Sequence, residues 1–479
     1  MIGKYTLESL INGLYLLPLD LYREYIQNAV DSFDVALELG LEKKENLLIS
    51  IRVDTECNTI LICDNGCGIG SSNVVSTLTD IGNSAKRRNL QRGFRGIGRL
   101  AGLGYCDKLM FTTSAKGEMY KTRVHFDAKR LRELLLINDQ SNVSVKDVME
   151  QIITIETKPE KMNMHYFEVF MENVNQAGGL TDLEVVTEYL VQHAPLPFSR
   201  EFKWRNTVEA KVKIAGYIIP SYRILLNGTE LYKPYQDTFI SDRVKKVNDT
   251  IKDICIRSFF RDRKLSAILW YAQASYYGTI NSSAIKGIRI RQGNILVGNS
   301  TTCNMLFKEE RFNGWILGEL HVIDDDLIAN SRRDDFEKNN AYYSLVEDLK
   351  GWAYEMSKEI RKISYERSLS KEKKAVIEAQ SLDDINNLCS EDLDIVEDIA
   401  ESDFINSVES DEIAESDYIE KLSLLLGKKK GQTKYMALNI NAKLTAEQRK
   451  TLEHVFDLIQ QEYNNEEASK FIETIVRKF

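Results

Sequence analysis

The segment around residues 24–31 contains polar side chains whose spacing could build a reaction site. Glu24, Asn28 and Asp31 lie at positions i, i+4 and i+7. At about 100° per residue, a helix places all three on one face, within roughly 60° of each other. Their neighbours are mostly apolar, so the helix is otherwise suited to burial. Such a polar face needs a partner, and a solvated face is the alternative interpretation.

A second candidate site follows the apolar run TILIC, which predicts a strand over 59–63 and leads into the sequence DNGCGIG at 64–70. A carboxylate at the end of a buried strand is costly unless it has a partner. Asp64 can accept a hydrogen bond from an exocyclic amine, and the glycines after it let a flat ring lie close to the backbone. A tight turn capped by the aspartate is the alternative interpretation.

A third candidate site is the sequence GFRGIG at 93–98, followed by Arg99. A glycine-rich loop that opens a helix presents backbone N–H groups to phosphate. Lys86 and Arg95 could add positive charge there. The segment is not a P-loop, because no Gly-Lys-Ser/Thr follows it.

In this order, ExxxNAxD, DxGxG and GxxGxG resemble the pattern of the GHKL superfamily. That group includes gyrase B, the heat-shock chaperone ATPases, histidine kinases, MutL and MORC proteins. The segment LTDIGNSAKR at 78–87 is similar to the lid of the chaperone and MORC branches. The resemblance covers residues 5–130 strongly and about 200–340 more loosely.

This resemblance implies that ATP and Mg²⁺ bind within the first 170 residues. Asn28 would coordinate the magnesium ion, and an amide oxygen suits such a hard cation. Glu24 would polarise the attacking water, which favours hydrolysis over kinase activity. Asp31 would support the site, and Asp64 would bind the adenine amino group. The other implied ATP-binding residues are Gly66, Gly68, Ile69, Ser84, Lys86, Gly93, Phe94, Arg95, Gly96, Ile97 and Gly98.

The chain departs from the family pattern before the last strand of the ATP domain. The family usually has Gly-Thr there, whereas this chain reads MHYFE at 164–168. The expected threonine hydroxyl near the adenine is therefore missing. A water or another side chain is expected to replace it.

A following domain is expected to supply a basic residue to the γ-phosphate, as in other hydrolysing members. The segment DDDLIANSRRD at 324–334 is similar to the chaperone loop that carries a catalytic arginine. By that register Arg333 is the catalytic arginine, with Arg332 as the alternative. A surface turn paired with its own acids is the competing interpretation. Arg289 and Arg291 are predicted on one face of a central strand, where they would contact nucleotide, client or acids.

The predicted fold class is α+β. An α/β sandwich ATP-binding domain of the Bergerat type is expected over 1–195, and an α/β middle, transducer-like domain over 196–340. A long helix over 341–380, an acidic segment over 381–420 that is either poorly ordered or an acidic surface, and a helical segment over 421–479 complete the prediction. Residues 128–160 are predicted to be helical, and 209–215 to form a strand.

The composition is that of a soluble globular protein, with 43% hydrophobic and 28% charged residues. No run of 18 apolar residues occurs, so neither a membrane span nor a membrane partner is predicted, and the expected location is cytoplasmic. Seven scattered cysteines suggest free thiols in a reducing compartment. The net charge of −9 disfavours an unassisted nucleic-acid binder.

The leading functional hypothesis is a slow, chaperone-like ATPase that acts as a conformational switch. ATP would close the lid at 71–100 and favour an N-terminal homodimer, and hydrolysis would reset it. The alternatives are a nucleic-acid clamp like MutL or MORC proteins, and an ATP-sensing scaffold in a prokaryotic stress or defence system. The sequence names neither the client nor an effector protein.

Overall fold

An eight-stranded, mostly antiparallel sheet is formed by strands that lie between residues 48 and 230. The computed structural model describes residues 17–79, 98–136, 145–242, 244–330 and 332–378, with side chains up to residue 367. The strands are β1 (Leu48–Asp54), β2 (Thr59–Asp64), β3 (Lys108–Ser114), β4 (Tyr120–Asp127), β5 (Ile153–Pro159), β6 (Tyr166–Glu172), β7 (Arg223–Leu226) and β8 (Thr229–Glu230). Their order is β5-β4-β3-β6-β2-β1-β7-β8, and only the β1–β7 pair is parallel.

Helices cover one face of this sheet, because alternate strand residues are apolar and point to the same side. The helices are α1 (Asp20–Glu38), α2 (Ser71–Thr79), α3 (Ala128–Leu136), α4 (Val145–Ile152) and α5 (Leu183–His193). In β2 the buried positions are Ile60, Ile62 and Asp64, so the strand ends with a carboxylate on its buried face. The first core thus places Asp64 against the helix layer.

A second, five-stranded sheet has its own hydrophobic core. It contains β11 (Asp253–Arg261), β12 (Lys264–Gln273), β13 (Gly287–Gln292), β14 (Ile295–Val297) and β15 (Leu317–Val322), in the order β11-β12-β15-β13-β14. A separate hairpin is formed by β9 (Thr238–Ser241) and β10 (Val247–Thr250). Helices α6 (Arg205–Ile214) and α7 (Asn340–Glu378) pack on this second core through Val208, Val212, Trp352, Ala353, Met356 and Ile360.

The two cores are interleaved along the chain. Phe198 and Phe202 belong to the second core, whereas Tyr222, Ile224 and Leu226 return to the first, because β7 pairs in parallel with β1. The chain therefore enters the second core at Phe198 and returns to the first sheet in β7, and the boundary at 195/196 stays a prediction. The described residues up to 375 lie in one unit.

Two of the predicted elements are wrong. Residues 209–215 lie mostly in helix α6, because Val208 and Val212 are one helical turn apart and both buried, while Ile214 is 87% exposed. The alternating Lys-Val-Lys-Ile at 211–214 misled the strand prediction. The predicted helix over 128–160 breaks into α3, α4 and the edge strand β5.

Other predicted elements agree with the structure. The helix expected over 18–39 is α1, and the long helix is α7. The acidic segment at 381–420 and the C-terminal helical segment lie outside the described residues. Within the described ranges, no helix is both long and apolar enough to cross a membrane.

Candidate functional site

Helix α1 carries the first group of predicted site residues. Its apolar face is fully buried against the sheet, with Tyr22 and Phe33 at 0% exposure. Glu24 and Asn28 are half-buried on the same helix, and Asp31 is buried. An amide oxygen beside a carboxylate fits a hard cation that keeps most of its water ligands.

Tyr25, which the sequence analysis did not select, ties α1 to the turn that follows the glycine-rich segment. Its hydroxyl donates to Arg99 O at 3.1 Å and accepts from Gly102 N at 3.0 Å. Both partners belong to the short 3₁₀ helix Gly98–Gly104. The predicted phosphate-binding segment therefore ends at a turn that is fixed to the helix of Glu24 and Asn28.

Asp64 is the candidate residue for binding the adenine, and its carboxylate is buried at the end of β2. Its Oδ1 accepts a hydrogen bond from Gly66 N at 2.9 Å. Burial raises the pKa of this carboxyl to about 7, although hydrogen bonds from Gly66 and Ser32 oppose the shift. A buried carboxylate with this pKa is the kind of group that a hydrogen-bonding ligand would stabilise.

Gly68 occupies a position that has no room for a side chain. Its φ is +65°, and a Cβ atom built on it would lie 1.9 Å from Ser114 O. Only glycine fits this left-handed and tightly packed position, so residues 65–70 can pack directly against the backbone at the end of β3. The predicted close approach of a base at Gly68 stays a prediction.

Residues 65–70, which we call the base loop, contact three side chains from outside the DxGxG motif. They are Ser32 on α1, Thr113 on β3 and His165 just before β6. Sequence reasoning missed all three. The only signal was the departure from Gly-Thr at 164–168, which pointed to a substitute without identifying it.

The arginine loop, residues 324–330 and 332–336, contacts α1 beside Glu24. Arg23 Nη2 donates to Arg332 O at 3.1 Å, and Arg23 Nη1 lies 3.2 Å from Asp20 Oδ1. Arg332 is exposed, whereas Arg333 is buried with a left-handed φ of +54°. The structure thus brings the predicted arginine segment to the helix of the predicted general base.

Arg333 has its backbone held on both sides. Its N–H donates to Asn330 O at 3.1 Å, and its carbonyl accepts from Gly298 N at 2.8 Å. A left-handed non-glycine residue costs about 1–3 kcal/mol and persists only where its surroundings impose it. The loop around Arg333 is therefore tied to the second sheet at Gly298, the residue directly after β14.

Arg289 and Arg291 share one buried face of β13, as predicted, and their described contacts are to protein groups. Arg291 pairs with Glu319 and donates to Gln192 O at 3.0 Å near the end of α5. Arg289 donates to Ser283 O. The two arginines therefore link the second sheet to α5 and to a neighbouring loop.

Glu319 is the centre of a fully buried ionic cluster. Lys233 Nζ lies 2.6 Å from it, and Tyr235 and Trp270 also donate to its carboxylate. Burial alone would raise the pKa of Glu319, but Arg291 and Lys233 hold it well below its usual range. Burial lowers the pKa of Lys233 to about 7.

Several predicted site residues lie outside the described residues. They are Ser84, Lys86, Gly93, Phe94, Arg95, Gly96 and Ile97. Gly98 is the first described residue after this gap and begins the turn that Tyr25 holds. The described part of the candidate site thus contains Asp64 with the base loop, the α1 face and the arginine loop.

Comparison with known proteins identifies the first part of the chain. Residues 22–154 match the family described as histidine kinase-, DNA gyrase B- and HSP90-like ATPases. Those residues form a GHKL ATPase domain. The match contains Glu24 and Asn28 of α1, and Asp64 with its base loop, but not the arginine loop.

Two curated relatives fit the heat-shock chaperone branch of this family. Chaperone protein HtpG of Chromobacterium violaceum is 30% identical over 138 aligned residues, and the match covers 25% of this chain and 22% of the chaperone. Chaperone protein HtpG of Rhodococcus jostii is 26% identical over 182 aligned residues, and the match covers 34% of this chain and 27% of the chaperone. The chain thus spans about a quarter of the length of the curated relatives it matches.

Proposed function

We propose that this protein is a magnesium-dependent ATPase that acts as a chaperone-like conformational switch. The GHKL domain at residues 22–154 and its similarity to the HtpG chaperones support ATP as the substrate. The contact of Arg23 with the carbonyl of Arg332 carries the proposal, because it supports a composite site shared by α1 and the arginine loop.

Glu24 is the proposed general base. Its side chain is 14% exposed, so it is shielded yet reachable by a water molecule. The carboxylate accepts the proton as the water oxygen bonds to the γ-phosphorus and the bond to the β–γ bridging oxygen breaks. Asn28 is the proposed magnesium ligand, and the ion would neutralise phosphate charge. Asp64 is the proposed acceptor for the adenine amino group.

Arg333 is the proposed source of positive charge at the γ-phosphate. Its restrained left-handed backbone supports this role, since strained residues concentrate at functional sites. Arg332 is the competing candidate. An arginine whose backbone is fixed can present its guanidinium to the charge of the transition state without reorganising at the moment of reaction.

The proposal also includes a conformational switch that ATP controls. ATP would favour a closed lid at 71–100 and an N-terminal homodimer, and hydrolysis would release both. Turnover would be slow because such motions limit it. Cross-linking with a non-hydrolysable ATP analogue tests this step, and an unchanged monomer fraction would contradict it.

Steady-state ATP hydrolysis with magnesium tests the central proposal. We expect Glu24→Ala to lower kcat by about 10²–10⁴-fold while retaining ATP binding. Glu38→Ala is the matched control, since Glu38 is an exposed carboxylate on the same helix. Arg333→Ala should also lower kcat strongly, and Arg332→Ala much less. A wild-type protein that binds ATP without hydrolysing it would instead be a nucleotide sensor.

A further inference from the structure

The base loop is fixed by side chains that lie outside its own sequence motif. At Gly66 both backbone polar groups have partners. Its N–H donates to Asp64 Oδ1 at 2.9 Å, and its carbonyl oxygen lies 2.7 Å from His165 Nδ1. Because a carbonyl oxygen can only accept, His165 Nδ1 must carry the hydrogen and donate. The same residue that orients Asp64 is therefore held in place by His165.

Two further side chains hold the rest of the loop. Cys67 N donates to Ser32 Oγ at 2.9 Å, and Ser32 also hydrogen-bonds to the Asp64 carboxylate. Ile69 N donates to Thr113 Oγ1 at 2.8 Å. The threonine hydroxyl in turn donates to Tyr166 O at 3.0 Å, which ties the loop to the start of β6.

We propose that His165, with Ser32 and Thr113, forms a loop clamp that fixes the base loop in the shape that accepts adenine. His165 is a positioning residue in this proposal, which rests on the proposed ATP-binding function. It compensates for the missing threonine by holding the Gly66 carbonyl, and the selectivity for adenine over guanine depends on it.

The link to selectivity follows from hydrogen-bond chemistry. Adenine carries an exocyclic amine where guanine carries a carbonyl oxygen, so a fixed carboxylate acceptor favours the first and opposes the second. Discrimination of this kind is strong only when the polar groups of the site are held in place, because a mobile group can find another partner. Releasing Gly66 would loosen Asp64 and reduce the discrimination.

Binding of ATP and of GTP, measured by calorimetry, tests the loop clamp. In the full chain, we expect His165→Ala to weaken ATP binding by about tenfold and to lower the ATP-to-GTP affinity ratio by at least about tenfold. His165→Asn keeps a side-chain N–H donor and should therefore retain part of the ATP affinity and part of the ATP-to-GTP affinity ratio. At saturating ATP, kcat should stay within about twofold, since His165 only positions the loop.

The matched control is His125→Ala, because His125 is also partly exposed but lies on β4, which β3 separates from β6, with Nε2 3.9 Å from Glu156. Neither affinity should change in that variant. Thr113→Val removes the hydroxyl at nearly constant volume and should lower the same ratio. It keeps the inference testable if His165→Ala does not fold.

The outcomes separate the two proposals. If the wild type binds no ATP, the proposed function is refuted and the loop clamp with it. Only the loop clamp is refuted if the wild type binds ATP and the variants keep its ATP-to-GTP affinity ratio within about twofold. This outcome is judged on His165→Ala and Thr113→Val together, or on whichever of the two folds. A loss of kcat with unchanged affinities would also overturn it.

Discussion

Replacing Tyr25 by phenylalanine tests how α1 is coupled to the segment that follows the glycine-rich loop. The hydroxyl of Tyr25 is the shared partner of Arg99 O and Gly102 N, and Gly102 has no room for a side chain, since a Cβ would lie 2.8 Å from that hydroxyl. Burial raises the pKa of Tyr25, so the phenol is neutral and donates at any ordinary pH.

The magnitude follows from the two hydrogen bonds that are lost. Leaving a buried donor or acceptor without a partner costs about 1–3 kcal/mol. The Gly102 N–H is buried and the Arg99 carbonyl only partly so. We therefore expect Tyr25→Phe to destabilise the folded state by about 2–4 kcal/mol. If the turn positions Gly98 for phosphate, ATP affinity should also fall by about tenfold, or about 1.4 kcal/mol.

The assay combines urea denaturation, hydrogen–deuterium exchange over 98–104 and ATP titration. The matched control is Tyr22→Phe, which removes one buried hydrogen bond to Leu180 O at 2.7 Å. That control should lower stability yet leave exchange at 98–104 and ATP affinity unchanged. If Tyr25→Phe leaves the exchange of Gly102 N–H as slow as in the wild type, the proposed anchoring is wrong.

Three further changes have expected outcomes. Burial raises the pKa of Asp64 in the folded state from 3.8 to about 7, so the unfolded state binds fewer protons between those pH values. The free energy of unfolding without ligand should therefore fall by up to about 4 kcal/mol as the pH rises from 4 to 7. Asp64→Asn should remove this pH dependence in denaturation experiments. Glu319→Gln leaves buried cations uncompensated and should cost about 3–5 kcal/mol in urea unfolding; a loss below 1 kcal/mol would contradict this. Gly68→Ala should abolish ATP binding. The control Gly40→Ala, at a φ of +61° with open space around it, should lower stability only by the roughly 1–2 kcal/mol of a left-handed alanine. If the two variants lower the melting temperature and the ATP affinity equally, the steric argument is refuted.

The local elements of the ATPase domain were predictable because each one carries its own pattern. The apolar face of α1 repeats at helical spacing, and the helix expected over 18–39 runs from Asp20 to Glu38. The strand before Asp64 is a short apolar run, and glycines follow it, which predicts both the strand and the close backbone approach. The α+β fold class and the GHKL assignment are confirmed.

Local pattern failed where burial came from partners distant in sequence. Residues 211–214 alternate like a strand but belong to α6, because the second core accepts Val208 and Val212 from one helical face. Strand β5 was hidden in a polar stretch, since an edge strand exposed along its length needs no apolar alternation. Pairing with β4, and not residue type, made it a strand.

The sequence by itself determined which residues could do chemistry: the polar face of α1, the carboxylate and glycines at 64–70, and the arginine pair at 332–333. Only the tertiary structure decided what holds them. The partners of the base loop lie 35, 44 and 99 residues away from it, and Arg23 meets Arg332 across 309 residues. A side chain that positions a backbone group needs only a donor or acceptor in the right place, so its residue type leaves no pattern along the chain.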